Sequence, residues 1–370
     1  MDTQQPIAAP AHSRTPMKAL LWLLVILVVG SAGVGGYFFS GGFSAMSDNG
    51  EKKQMSGLLI MATTPFTDQQ VPSWIFPTLF DFGRNEFSYV PADKLAGSPD
   101  GLDLAYQHVF SMNGAFIAFV GAENVGNVST LSDIPMQIYR ADVSGAVTFN
   151  DFLQRVQNAE RVTNSAGVVR QFPSVSNRGD VVYSSHALAD NKTLLSAEAN
   201  SWDIYLVSQG GEEQAVTKGV HPVWVDDTHF IFLKNDGLYL YDVAQAIEQK
   251  EWGSLEKASM RMSLDVSDDG QYIAWAAREA GSVFVLRALG WNGVQPLTLK
   301  GTIPDAGTYA VFSPDSRYLA VLAPALSSKT LGKWESSIDI FDIETLSRAG
   351  SELLLVGSEP NFTYLTDWRP

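Results

Sequence analysis

Cysteine is absent from all 370 residues, so the chain folds without disulfides and carries no thiol for a lipid anchor. Charge is sparse too: Asp, Glu, Lys and Arg make up 18 %, and 40 acidic residues against 25 basic ones leave a net charge of −15. A field of that sign repels phosphate backbones, which argues against a nucleic-acid partner. Histidine is rare, with five in the chain, and none stands in a metal-ligand spacing such as H-E-x-x-H. No G-x-S-x-G elbow occurs, and no P-loop or dinucleotide fingerprint sits in a strand-to-helix context. Nothing in the sequence calls for a cofactor or a resident metal, and no catalytic residue is assigned.

What the chain does have is a recurring phrase: a large apolar residue, a short polar turn, then three to five β-formers. It reads Phe110-Ser111-Met112-Asn113-Gly114, Val175-Ser176-Asn177-Arg178-Gly179, Trp224-Val225-Asp226-Asp227-Thr228, Val266-Ser267-Asp268-Asp269-Gly270 and Phe312-Ser313-Pro314-Asp315-Ser316. Each is followed by an apolar strand, as in Phe116-Ile117-Ala118-Phe119 or Tyr318-Leu319-Ala320-Val321. A second signature follows each, from Gln137-Ile138-Tyr139 to Ile338-Asp339-Ile340-Phe341-Asp342, and three repeats add a fourth strand at Arg161–Thr163, Ala215–Thr217 and Pro296–Thr298. The phrase recurs at intervals of 65, 49, 42 and 46 residues, and four-stranded repeats about 40–50 residues apart with variable loops are the sequence form of propeller blades.

The two ends complete the pattern. Asp367-Trp368-Arg369-Pro370 matches Val311-Phe312-Ser313-Pro314 but has no strand after it, while Gly57–Ala62 reads as a second strand with no first. Thr78–Phe82 and Glu86–Val90 supply a third and a fourth. The expectation is an all-β, six-bladed propeller over residues 57–370, closed by the C-terminal strand joining the N-terminal blade, which removes the open sheet edges. Phe312-Ser313-Pro314-Asp315 and Val266-Ser267-Asp268-Asp269-Gly270 carry a resemblance to the TolB-like six-bladed propellers, whose repeat runs F-S-P-D-G-x-x-I-A-F. The resemblance implies a fold and not a partner, because sites are grafted onto loops. TolB itself has a further N-terminal α/β domain for which residues 40–56 leave no room.

Ahead of the repeats, Ala19 to Phe39 runs without a charge. At about 1.5 Å per helical residue this stretch spans about 31 Å, matching a bilayer core of about 30 Å. Gly30-Ser31-Ala32 resembles a signal cleavage site, yet the apolar character continues to Phe39, which favours an uncleaved single-pass anchor. Arg14 and Lys18 before it place residues 1–18 in the cytoplasm, residues 40–56 read as a Gly/Ser-rich tether, and the propeller lies outside, periplasmic or extracellular. Ser31, Ala32, Gly35 and Gly36 offer small faces for a helix-mediated dimer.

In the usual blade, loops from second to third strand and connections between blades surround one mouth of the axial channel. The long ones here, residues 121–135, 187–200 and 323–335 with the blade connections 91–104 and 164–169, all fall on that mouth, the expected binding face. Arg170, Trp202, His221 and Trp334 are its candidate contacts, Trp because it supplies large contact area at low entropic cost. Two helical insertions are expected on the opposite face, at residues 151–156 and 243–248. The leading functional reading is a membrane-anchored, exported scaffold that binds a protein or cell-envelope component. The alternative is an extracytoplasmic lactonase- or glycosidase-like hydrolase, with His108, Asp265 and Asp367 converging in the channel. Asp265 and Asp367 occupy equivalent repeat positions, where the other repeats carry Val109, Ser174, Val223 and Val311. Acidic residues inside the turns are read as turn chemistry, short carboxylates accepting from free backbone N–H groups.

Overall fold

The computed structural model describes residues 58–64, 76–81, 86–89, 104–122, 136–146, 149–164, 168–187, 198–253, 262–277, 282–287, 297–304, 309–322, 326–328, 333–349, 353–357 and 362–369. The expected anchor at 19–39, its flanking segments and most of the long mouth loops lie outside the described residues. Among the described residues no helix is long and apolar enough to cross a membrane.

The chain is an all-β propeller. Five of its antiparallel sheets each come from one continuous stretch. The first holds β4 (Leu104–Phe110), β5 (Phe116–Ala122), β6 (Gln137–Asp142) and β7 (Glu160–Arg161). The second holds β8 (Val168–Val175), β9 (Val181–Ala187), β10 (Asp203–Val207) and β11 (Glu213–Lys218), and the third β12 (Val220–Trp224), β13 (His229–Lys234), β14 (Gly237–Asp242) and β15 (Ile247–Gly253). The fourth runs β16 (Met262–Val266), β17 (Tyr272–Ala277), β18 (Ser282–Arg287) and β19 (Thr298–Pro304). The fifth has β20 (Tyr309–Phe312), β21 (Tyr318–Leu322), β23 (Lys333–Asp342) and β24 (Leu353–Gly357), with a short β22 (Leu326–Ser328) against β23. A further, composite sheet joins the two ends: β25 (Phe362–Arg369) pairs antiparallel with β1 (Leu58–Thr64), followed by β2 (Phe76–Asp81) and β3 (Glu86–Tyr89). Innermost strands neighbour one another in the order β4, β8, β12, β16, β20, β25 and back to β4.

Middle strands are apolar on both faces because each sheet is packed between two others. In β5, Ile117 and Phe119 face one side with Tyr139 and Ala141, while Ala118 and Val120 face the other with Val175 and Val181. Every residue of β21 is buried. Outer strands β11, β15 and β19 are mostly exposed. That gradient explains why the repeats read as continuous hydrophobic runs rather than alternating ones.

Three of the five turn phrases share one chemistry. The Ser111, Ser267 and Ser313 hydroxyls accept from the N–H of Phe116, Tyr272 and Tyr318 at 3.0, 2.9 and 2.9 Å. The same hydroxyls donate to Asn113, Asp269 and Asp315 at 2.8, 2.7 and 2.6 Å. Turns also lock neighbouring sheets: Asn113 N–H donates to Asn177 Oδ1 (2.8 Å), and Asn177 N–H to Asp227 Oδ1 (3.1 Å).

Of the two expected helices one is present. α1 (Phe149–Gln157) carries Asp151 in its first turn and Arg155 in its last, each favourable to the helix dipole, and stacks Phe152 on Phe110. Residues 243–248 are not helical: Asp242 Oδ1 accepts from Gln245 N–H (2.9 Å), Ala246 takes φ +54°, and β15 starts at Ile247. The fifth sheet repeats this reversal at Asp342, Thr345 and Leu346 (φ +53°). An Asx turn ending in a left-handed residue turns the chain back before a helical turn can propagate. In the fourth sheet the last strand begins at Thr298, later than the expected Pro296, and β7 shrinks to two residues.

Candidate functional site

Each innermost strand runs from the mouth toward its turn, so positions farther before the turn lie nearer the mouth. Two residues before the first polar turn position stand Val109, Ser174, Val223, Asp265, Val311 and Asp367. The polar members of this layer bond to the next sheet's backbone. Asp265 Oδ2 accepts from Phe312 N–H (2.8 Å), Ser174 Oγ from Trp224 N–H (3.1 Å), and Asp367 Oδ2 from Phe110 N–H (2.6 Å). Valine and staple alternate from sheet to sheet around the axis. The carboxylates expected to converge on a substrate are thus each engaged by a different strand.

The next layer toward the mouth is Gln107, Phe172, His221, Ser263 and Tyr309, which line an axial pit of about 80 Å³ with Val109, Val223 and Val311. In β4, β8 and β12 this position opens a β-bulge, two residues facing one across the ladder, with register shifts at Tyr106/Val109, Gln171/Ser174 and Val220/Val223. Gln107, Phe172 and His221 lead these bulges at φ +53°, +55° and +54°. Left-handed backbone at a non-glycine residue costs about 1–3 kcal/mol, and bulges of this kind re-aim a side chain. Phe172 and His221 pack ring on ring at 3.6 Å between centroids, and Phe172 N–H donates to Gln107 Oε1 at 2.7 Å.

Arg170 is 1 % exposed, so it is a buried clamp rather than a surface contact. Its Nη1 donates to Met136 O (3.1 Å) and its Nη2 lies 3.3 Å from Glu213 Oε2, tying the first sheet to the second and to its outer strand. Glu213 also accepts from Tyr183 Oη (2.9 Å) and Asn164 N–H (2.9 Å). Burial alone would push the Glu213 carboxyl up, but Asn164, Tyr183 and Arg170 together hold it below its ordinary value. Tyr183 is pushed well up by burial and then by Glu213.

Trp202, expected at the surface, is 0 % exposed and packs edge-on against His186 at 5.0 Å. A single residue, Gly219, links the second and third sheets beside it, donating its N–H to Trp202 O (3.0 Å). A Cβ at Gly219 would stand 2.6 Å from the Phe232 ring. Trp334 lies in β23 opposite Ser327 and Gly357, and its side chain is outside the described residues. The three candidates whose side chains are described form no single cluster: Arg170 joins Glu213, Trp202 joins His186, and His221 lines the pit. Gln107, Ser263, Tyr309 and Glu213 went unread; the first three share His221's repeat position, whereas nothing in the sequence marks Glu213.

His108 follows Gln107 in the bulge and lies outside the pit lining. It stacks on Phe119 at 5.1 Å, and both ring nitrogens are buried with no hydrogen-bond partner among the described residues. Burial lowers its pKa to about 3. The unfolded chain binds this proton near 6.5 and the folded chain only near 3, so stability falls as the pH drops through that window. Replacing His108 with Leu is expected to flatten the acid limb of a pH series of denaturant melts by about 1.4 kcal/mol per pH unit. An unchanged slope would show that His108 finds a proton partner in the fold.

A larger groove of about 700 Å³ lies between α1 and the second sheet, lined by Arg140, Asp142, Arg155, Glu160 and Gln209 among others. Its central cation is already paired, Arg140 with Glu160 at 2.5 Å and with Gly179 O at 2.6 Å. Among the described residues no three His, Asp or Glu side chains stand together as metal ligands.

No family model and no curated protein matches the chain. Among solved structures, TolB from Acinetobacter baumannii superposes with a TM-score of 0.55 at 16 % identity, over 86 % of this chain and 68 % of that one. An oligogalacturonate lyase from Vibrio parahaemolyticus gives a TM-score of 0.46 at 10 % identity, over 85 % of each chain. At such identities the likeness speaks for architecture alone: the chain has the all-β propeller fold seen in TolB.

Proposed function

We propose that this protein is an exported binding scaffold: a six-bladed ring, five continuous blades and one composite, held to the membrane by residues 19–39 and a tether over 40–56, presenting its mouth to a protein or cell-envelope component. One observation carries the reading. The axial carboxylates Asp265 and Asp367, which a channel hydrolase would need free, accept from the backbone of neighbouring strands. Carboxylates engaged in this way hold strands together, which supports recognition at the mouth and its floor over catalysis by these two groups. Its described rim supports this, with the reversals of the second and third sheets tied together by Asn200 and Asn235 and by Asn235 and Glu198 (2.9 Å). A rigid rim presents its loops with less entropy left to lose on binding.

A photo-crosslinking residue at Asp236, exposed between β13 and β14, tests the reading in the full-length chain in its native cells. It is expected to trap a discrete adduct, while the same residue at exposed Glu212, between β10 and β11 on the opposite face, traps none. Adducts at Glu212 alone, or equally at both, would sink the proposal.

A further inference from the structure

The pit at the floor of the mouth has hydrogen-bond donors that no described residue accepts from. Gln107 is 7 % exposed and lines the cavity. Because its Oε1 accepts from Phe172 N–H (2.7 Å), the amide must stand with its nitrogen turned the other way. That nitrogen makes no hydrogen bond to a described residue. Ser263 shows the same asymmetry across the pit: its Oγ accepts from Ala310 N–H (3.1 Å), and the hydroxyl proton has no described acceptor. Gln107 is buried and Ser263 half-buried, and each lines the pit with a donor that no described residue accepts from, so the pit is organised to receive an acceptor.

The remaining lining limits what that acceptor is. Val109, Phe172, Pro173, Pro222 and Val223 give an apolar wall, and no Lys or Arg is among the described residues that line the cavity. The Asp265 carboxylate lines it too, and the chain carries −15 overall, so an anion is disfavoured. At about 80 Å³ the pit has the volume of two or three waters, far below a drug-sized site of about 300–1,000 Å³. Only a small group enters.

We infer that the axial pit binds a neutral amide-type carbonyl group, its oxygen accepting from Gln107 Nε2 and Ser263 Oγ and its apolar flank resting on Phe172 and Pro222. This deepens the reading of the mouth as the binding face: the pit is a deep subsite under a broad rim. Two sources present that chemistry, a peptide group of a partner chain and the N-acetyl group of a sugar.

The test uses full-length chain labelled with 15N-glutamine, following the Gln107 side-chain amide signal, assigned by its loss in Gln107→Glu. N-methylacetamide serves as the peptide-type probe, N-acetylglucosamine as the sugar-borne one and sodium acetate as the charged control. Saturable shifts of the Gln107 signal with at least one amide probe and none with acetate are expected, and the stronger of the two probes identifies the source. Gln107→Glu keeps the oxygen that accepts from Phe172 N–H, so the fold survives, while both N–H donors go. Displacement of an environment-sensitive fluorophore placed at the rim is expected to show affinity for the amide probe falling about tenfold in this variant. Acetate binding as well as the amides, no saturable shift with either amide, or unchanged affinity in Gln107→Glu overturns the inference. None of these outcomes touches the crosslinking at Asp236, so the pit can fail while the mouth stands.

Discussion

A chain ending at Pro360 loses its cooperative melt. Without β25, strand β1 has no inner partner along its length, from Leu58↔Arg369 to Thr64↔Phe362. Trp368, 1 % exposed, leaves the core, and Phe110 N–H loses the Asp367 carboxylate that accepts from it at 2.6 Å. Removing a buried Trp alone costs about 3–5 kcal/mol, and an unmet backbone donor adds about 1–3. Against a total stability of about 5–15 kcal/mol, these losses and an opened sheet edge leave the ring unfolded or aggregated. The measurement is soluble yield and a thermal melt of full-length and truncated chains side by side. Trp368→Ala is the gentler companion, expected to lower stability by about 3–5 kcal/mol while still melting in one step. A truncated chain melting within a few degrees of the intact one would falsify closure by the C-terminal strand.

That strand was readable before any coordinates because two separated fragments, Asp367-Trp368 and Gly57–Ala62, each lacked what the other supplies. The five turn phrases are legible for a local reason: Ser111, Ser176, Asp226, Ser267 and Ser313 each bond within six residues of themselves, so the sequence window holds the whole interaction. Failures came where the deciding contact is distant. Residues 243–248 have apolar spacing suited to a helix, but β14 needs an outer partner and the Asp242 turn delivers β15 to it. The spacing of the inner strands hid the bulges, since a left-handed Gln, Phe or His has no compositional mark, unlike glycine. Aligning the repeats four residues ahead of each turn would have gathered Gln107, Phe172, His221, Ser263 and Tyr309 in one column. Asp265 and Asp367 were correctly singled out as equivalent. Each accepts from a neighbouring strand's N–H, a contact between sheets that an alignment of the repeats does not display. Arg170 was taken for a contact because its partner Glu213 lies on an outer strand of the same sheet, beyond any repeat-based reading.

Arg170→Ala is expected to cost about 3 kcal/mol of unfolding free energy. Removing one member of a buried pair costs about 3–5 kcal/mol because the other is left uncompensated; Glu213, 21 % exposed, keeps some water, which sets the estimate at the lower end. Lysine does not rescue. One ammonium cannot serve both Met136 O and the Glu213 carboxylate from the positions of Nη1 and Nη2. Arg170→Met with Glu213→Gln, which removes both charges, is expected to recover more than half of the loss, a coupling readable in a double-mutant cycle. The pH dependence gives an independent check. Glu213 is held below its ordinary 4.5 in the folded chain, so its contribution is present above that value and is lost as the pH falls through the lowered one. Glu213→Gln removes that part of the acid limb. If Arg170→Ala and Arg170→Lys both melt like the parent while crosslinking from Asp236 disappears, Arg170 serves recognition and the clamp is incidental. If stability falls and crosslinking persists in the folded fraction, the guanidinium is mortar between two blades, and recognition belongs to the rim and pit beside it.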